Sequence, residues 1–179
     1  MKAFTPCATI IIVCSAIFSM QVFGQKAQKL SDPEIASVAV VANQIDIDYA
    51  TIAKKKSTNA DVVKFAETMA RDHQSVIDQA VALVTKLGVT PKDNAVSKSL
   101  QSGAVKTKKM LNSKSGEDFN KAYIDNEVAY HKAVIAAVET VLIPNAGNKE
   151  LKDLLLSVLP ILKTHLGHAE MVQKMYSSK

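Results

Sequence analysis

Apolar residues recur along this chain at alternating steps of four and three. Between Val62 and Leu87 they are Val62, Ala66, Met69, Val76, Ala80, Leu83 and Leu87, and His73 takes one place in the stripe. That period predicts an amphipathic α-helix of about seven turns. A titratable ring in the middle of its buried face needs explaining. The same period predicts three more long helices. The first opens at Ser31-Asp32-Pro33-Glu34, a capping box with proline in the first turn, and runs through Ile35, Val38, Ala42, Ile45, Tyr49 and Ile52 to Lys55-Lys56. The third opens at Ser115-Gly116-Glu117-Asp118 and carries Phe119, Tyr123, Ile124, Val128, His131, Ile135, Val138 and Leu142 before Pro144. The fourth starts near Asn148 and carries Leu151, Leu155, Val158, Leu162, His165, Ala169, Val172 and Tyr176, with a kink expected at Pro160.

The expected helices are thus about 32–56, 60–87, 116–142 and 148–176, within one domain over 31–176. Ser57-Thr58-Asn59 is so short a connection that the first two helices form an antiparallel hairpin. From Val89 to Gly116 the periodicity weakens. Leu100, Ala104 and Leu111 hint at a short helix, but Gly103, the serines and the lysines suggest a looser crossover, long enough to run the length of a bundle. Hairpin, long crossover, hairpin predicts an all-α, ferritin-like four-helix up-down bundle.

The N-terminus has a different character. Lys2, the apolar run Ala8 to Met20 and the small residue Gly24 make the tripartite pattern of a secretory signal peptide over 1–24, followed by a short polar tail at 25–30. Both cysteines, Cys7 and Cys14, fall in the segment expected to be removed, so the mature chain relies on its core rather than on disulfides. The expected location is the periplasm or the outer membrane, with no transmembrane segment in the mature chain.

Composition narrows the functions. Hydrophobic residues are 47%, charged residues 22% and aromatics 5% of 179 residues, a globular mix in which small aliphatic side chains fill the core. The formal net charge of +5 is concentrated in Lys92, Lys98, Lys106, Lys108, Lys109 and Lys114, a stretch that could lie against an anionic envelope surface or simply be a solvated face. Beyond residue 24 the only arginine is Arg71, which argues against specific nucleic-acid recognition. Gly-rich phosphate loops, G-x-S-x-G elbows, H-E-x-x-H helices and C-x-x-C pairs are absent from the same stretch.

One constellation carries candidate chemistry. Asp46, His73, His131 and His165 each lie about 20–25 Å along their own helix, so all four fall near mid-height whichever way the helices point. Three imidazoles and a carboxylate at one level suit zinc, iron, copper or nickel. Glu127 and His168 could add ligands from the same faces, while Asp72 points away and suits an outer or surface contact. The competing expectation is a polar layer that only fixes register.

These residues resemble a family. Ile45-Asp46-Ile47, Val63-Lys64-Phe65-Ala66 with Met69 and Asp72-His73, Phe119 with Ala122-Tyr123 and His131, and Leu159-Pro160 with His165 are similar to an exported bacterial family, domain of unknown function 4142. The resemblance implies export and a ferritin-like fold, and it marks Asp46, His73, His131 and His165 as matching the family pattern. Asp46 stands where that family usually shows Glu, and Asn120 where an acid is common. Ala70, Val128 and Leu162, three residues before the histidines, depart from the Glu-x-x-His signature of di-iron carboxylate proteins. The expected role is a non-catalytic bundle of the cell envelope; the alternative is a metal-binding, redox-capable bundle using His73, His131, His165, Asp46 and Glu127.

Overall fold

The computed structural model describes residues 29–177, so the expected signal peptide and most of the expected tail at 25–30 lie outside the described residues. Those residues are all-α. Helix α1 spans Asp32–Lys56, α2 Ala60–Lys86, α3 Ala95–Asn112 and α4 Gly116–Ala137; a π-helical turn at Val138–Leu142 leads into α5, Ile143–Asn145, and α6 spans Lys149–Ser177. Among the described residues, no helix is long and apolar enough to cross a membrane.

Local chemistry sets these boundaries. At the start of α1 the Ser31 backbone N–H and hydroxyl both donate to Glu34, at 2.9 and 2.7 Å, satisfying groups that a helix end leaves bare. Asn59 caps α2 by accepting from the N–H groups of Asp61 and Val62. The other end of α2 closes on Gly88 at φ +64, where the Val89 N–H reaches back to Val84 and that of Gly88 to Thr85. Only glycine takes that left-handed turn cheaply.

Three details differ from the sequence expectations. The segment expected to be a loose crossover contains the 18-residue α3, which Asn94 and Ser97 start with a reciprocal capping box. Its buried positions, Ser97, Ala104 and Leu111, recur every seven residues, one narrow seam against α1 instead of a broad apolar face. Near Pro144 the helix widens into the π-turn, because proline has no N–H to donate and its ring would strike the carbonyl four residues back. Leu30, expected in the polar tail, is buried at 2% exposure.

Helix α2 packs along α1 and α6 along α4, while α2 meets α6, α4 meets α1, and α3 lies on α1. The buried apolar residues form two cores. One is aromatic-rich, with Tyr49, Phe65, Phe119 and Tyr123, and the other aliphatic, with Ile35, Val38, Leu142, Leu155 and Leu162. Each long helix passes from one core to the other. Helices α1 and α6 run from the aliphatic to the aromatic core, and α2 and α4 run the opposite way. Because α2 and α4 share a direction, the segment between them, α3 included, has to return along the core. The crossings lie near Asp46, His73, Glu127 with His131, and His165. Helix α6 continues through Pro160.

Candidate metal centre

Five ionisable side chains thus meet between two apolar cores. Asp46 and Glu127 are fully buried, and His73, His131 and His165 are 4%, 1% and 4% exposed. The imidazole ring centroids lie 5.2 to 5.6 Å apart.

The hydrogen bonds around the rings fix their tautomers. Asn43 donates its amide to the Ala39 carbonyl at 2.8 Å, so its side-chain oxygen faces His73 Nδ1 at 2.7 Å and makes that nitrogen the donor. His131 Nδ1 lies 3.0 Å from the Glu127 main-chain carbonyl, which can only accept. His165 Nε2 lies 3.0 Å from Asp72 Oδ2. The remaining nitrogens are therefore bare lone pairs. His73 Nε2, His131 Nε2 and His165 Nδ1 are buried and have no hydrogen-bond partner. Each histidine can present one ligand atom so that the three atoms lie within 4.8 Å of one another. Acceptors behind each ring and lone pairs in front are the arrangement that orients histidine toward a metal.

Asp46 completes one side of the cluster. Its Oδ2 lies 3.4 Å from His73 Nε2 and 3.7 Å from His131 Nε2. Bonds of about 2.0–2.1 Å at tetrahedral angles would put ligand atoms about 3.3–3.4 Å apart. The Asp46 spacings are already close to that. Glu127 stands further round, with Oε2 3.6 Å from His131 Nδ1, and Asp46, Glu127 and His131 form a second group of potential ligands.

Electrostatics keep the metal-free cluster neutral. Burial lowers His73 to about 2, helped by the neighbouring imidazoles. Burial also lowers His131 to about 4, partly offset by the Glu127 carbonyl bond. His165 is lowered by burial too, against the pull of Asp72. Burial pushes the Asp46 carboxyl up to about 8. Glu127 is raised by burial and then by Asp46. Neutral imidazoles are the form that binds metal, and Asp46 has a proton to give up.

The structure brings together all five expected residues, Asp46, Glu127, His73, His131 and His165. Asp46, on an alanine-rich stretch of α1, is fully buried. His168 sits elsewhere, edge-on to Phe65 at 5.1 Å between ring centroids. Asp72 serves both expected purposes, holding His165 on one oxygen and Arg71 Nε at 2.9 Å on the other. Asn43 was missed. Its signal was its place three residues before Asp46 on the same inward face. Of the lysine stretch, Lys108 pairs with Asp48 at 2.8 Å, while Lys98, Lys106 and Lys109 are exposed on α3.

The molecule is an all-α, bundle-like protein built around a buried histidine and carboxyl cluster. A family described as Domain of unknown function (DUF4142) matches residues 19–172, and the chain belongs to that family. No curated protein and no solved structure matches the chain.

Proposed function

We propose that the protein is an exported, ferritin-like four-helix bundle that holds a first-row transition metal ion on His73, His131, His165 and Asp46. The observation that carries this reading is the set of three buried, unpartnered imidazole nitrogens in a cluster whose rings offer ligand atoms within 4.8 Å of one another, while the opposite nitrogen of each ring is anchored to an acceptor. An unsatisfied buried polar atom costs about 1–3 kcal/mol. His73 Nε2, His131 Nε2 and His165 Nδ1 are all such atoms. A pure register layer would pair its own groups, whereas a metal satisfies all three nitrogens at once.

The donor set suits zinc, iron, copper or nickel better than magnesium or calcium, which favour oxygen shells. A Glu-x-x-His pair is missing at each histidine, so the centre does not match the di-iron carboxylate plan. All five side chains are at most 4% exposed, which closes the centre to bulky or polar substrates and favours holding a metal over turning such substrates over. Export rests on the tripartite pattern of residues 1–24.

The test is the metal content of residues 25–179, purified without chelator or affinity tag, beside His73→Ala and His165→Ala. Near-stoichiometric metal in the wild type, lost in both variants, is expected. A wild type that stays empty after incubation with iron, zinc, copper and nickel overturns the reading.

A second reading rests on a separate observation. Lys98, Lys106 and Lys109 project into solvent from α3, far along the chain from any cluster residue. This face would hold an anionic envelope surface. Binding to anionic vesicles that weakens with salt and disappears on replacing the three lysines with glutamine is expected; binding unchanged by those substitutions removes this reading.

A further inference from the structure

The cluster has open space beside it on its aliphatic side. A cavity of ≈ 50 Å³ extends from Asp46, His73 and His131 into the aliphatic core, between walls that include Ala39, Ala42, Val76, Ala80, Val138 and Leu155. On the other side, Tyr49, Phe65, Phe119 and Tyr123 are buried side by side in the aromatic core. The contrast follows from α1, where the cavity is lined by Ala36, Ala39 and Ala42 on the approach to Asp46. Ten residues of helix separate Ala36 from Asp46, about 15 Å of rise. Alanine there leaves a gap that a leucine would fill.

The walls decide what can enter. Apart from Asp46 and the two histidines, the polar residues lining the cavity are Asn43 and Tyr130. Asn43 is already paired with Ala39 and His73, and the Tyr130 hydroxyl donates to the Ala42 carbonyl at 2.9 Å. Water needs two to four polar partners and about 10–15 Å³ on this measure. Away from the cluster it finds the room without the partners. Apolar cavities of this kind stay dry and accept small apolar guests. The size admits a diatomic molecule and excludes a drug-sized one. His165 does not line the cavity, so a guest meets the cluster on the face bounded by Asp46, His73 and His131.

We propose that this cavity admits a small apolar diatomic molecule, of the class of dioxygen and nitric oxide, to the metal centre. The inference rests on the metal-binding reading above and supplies its substrate class. It also explains how a centre closed to polar solutes can still be reached. The cavity is selective by what it cannot satisfy.

Two probes separate the parts of this inference. Crystals of the metal-free and metal-loaded protein under xenon pressure are expected to show xenon between Val76, Val138 and Leu155, and Ala42→Leu is expected to abolish it. Nitric oxide added anaerobically to the iron(II)-loaded protein should give a nitrosyl signal by electron paramagnetic resonance, formed at least tenfold more slowly in Ala42→Leu at equal iron content. Ala80→Val gives a second obstruction should Ala42→Leu fail to fold. A metal-loaded protein that takes no xenon, or whose nitrosyl forms equally fast with the cavity blocked, overturns delivery alone. A protein that takes xenon but no metal overturns the centre, and delivery with it.

Discussion

His165 Nε2 lies 3.0 Å from Asp72 Oδ2, while Asp72 Oδ1 receives the Arg71 guanidinium at 2.9 Å. One carboxylate therefore joins an exposed arginine to a buried imidazole. Burial opposes the charge on Asp72, but the His165 N–H and then Arg71 more than offset it and hold the carboxyl below its usual range. This contact leaves Nδ1 of His165 as the free lone pair. Asp72→Ala should weaken metal binding about 10–100-fold, the usual effect of losing such a support, with the fold retained. Chelator-competition titration measures it, and an unchanged affinity would show that His165 needs no orientation from Asp72.

Asn43 makes a sharper test because its role is geometric. Its amide is committed to Ala39, so its oxygen has to meet His73. Asn43→Asp keeps an acceptor opposite His73 Nδ1 and should retain the metal, whereas Asn43→Leu removes it and should cost about 10–100-fold in affinity. Equal affinities in the two variants would sink the proposed tautomer.

The metal-free protein should lose stability as pH rises from about 7 to 8. In that range the histidines are mostly neutral in both states. Asp46, raised to about 8 when folded from an ordinary 3.8, holds a proton that the unfolded chain has lost, and Glu127 behaves alike. The unfolded state binds fewer protons there, so stability falls as pH rises, by about 1.4 kcal/mol per unit for each whole proton. Below 6.5 the histidines work against this trend. Unfolded histidines take up protons that the folded ones, at about 2 for His73 and about 4 for His131, refuse. With His165 lowered as well, the imidazoles offset the two carboxyls, and the gain in stability on acidification stops. Thermal unfolding with chelator present reads the curve; a midpoint that climbs steadily from pH 6 to 8 contradicts it.

The legible part of this protein was whatever rests on period and spacing. Seven-turn stripes gave the long helices, and equal depth along each helix placed Asp46, His73, His131 and His165 together, because rise per residue is the same in every α-helix. Helix α3 was harder to read, since Ser97, Ala104 and Leu111 bury a single line against α1 and leave the rest of its surface polar. The π-turn before Pro144 depends on how the backbone relieves a clash, which no periodicity records. The partners that set the tautomers were hidden for another reason: Asn43 and Asp72 contact rings 30 and 93 residues away, and only packing makes those pairs.

The two buried carboxyls should separate under substitution. Asp46 Oδ2 faces the Nε2 atoms of His73 and His131, both of which are bare. Glu127 Oε2 faces His131 Nδ1, which already bonds the Glu127 carbonyl. Asp46 is thus placed to bind metal beside the histidines, and Glu127 to adjust its surroundings. Glu127 is held protonated by burial and by Asp46, so glutamine mimics its neutral folded form while removing the charge its unfolded form carries. Glu127→Gln should therefore raise the unfolding temperature of the metal-free protein at pH 8. Its loss of metal affinity should be about tenfold or less, against at least about a hundredfold for Asp46→Asn, which takes away a ligand. Calorimetry and chelator competition on the same preparations give both numbers. A larger affinity loss for Glu127→Gln than for Asp46→Asn would move the metal to the group formed by Asp46, Glu127 and His131.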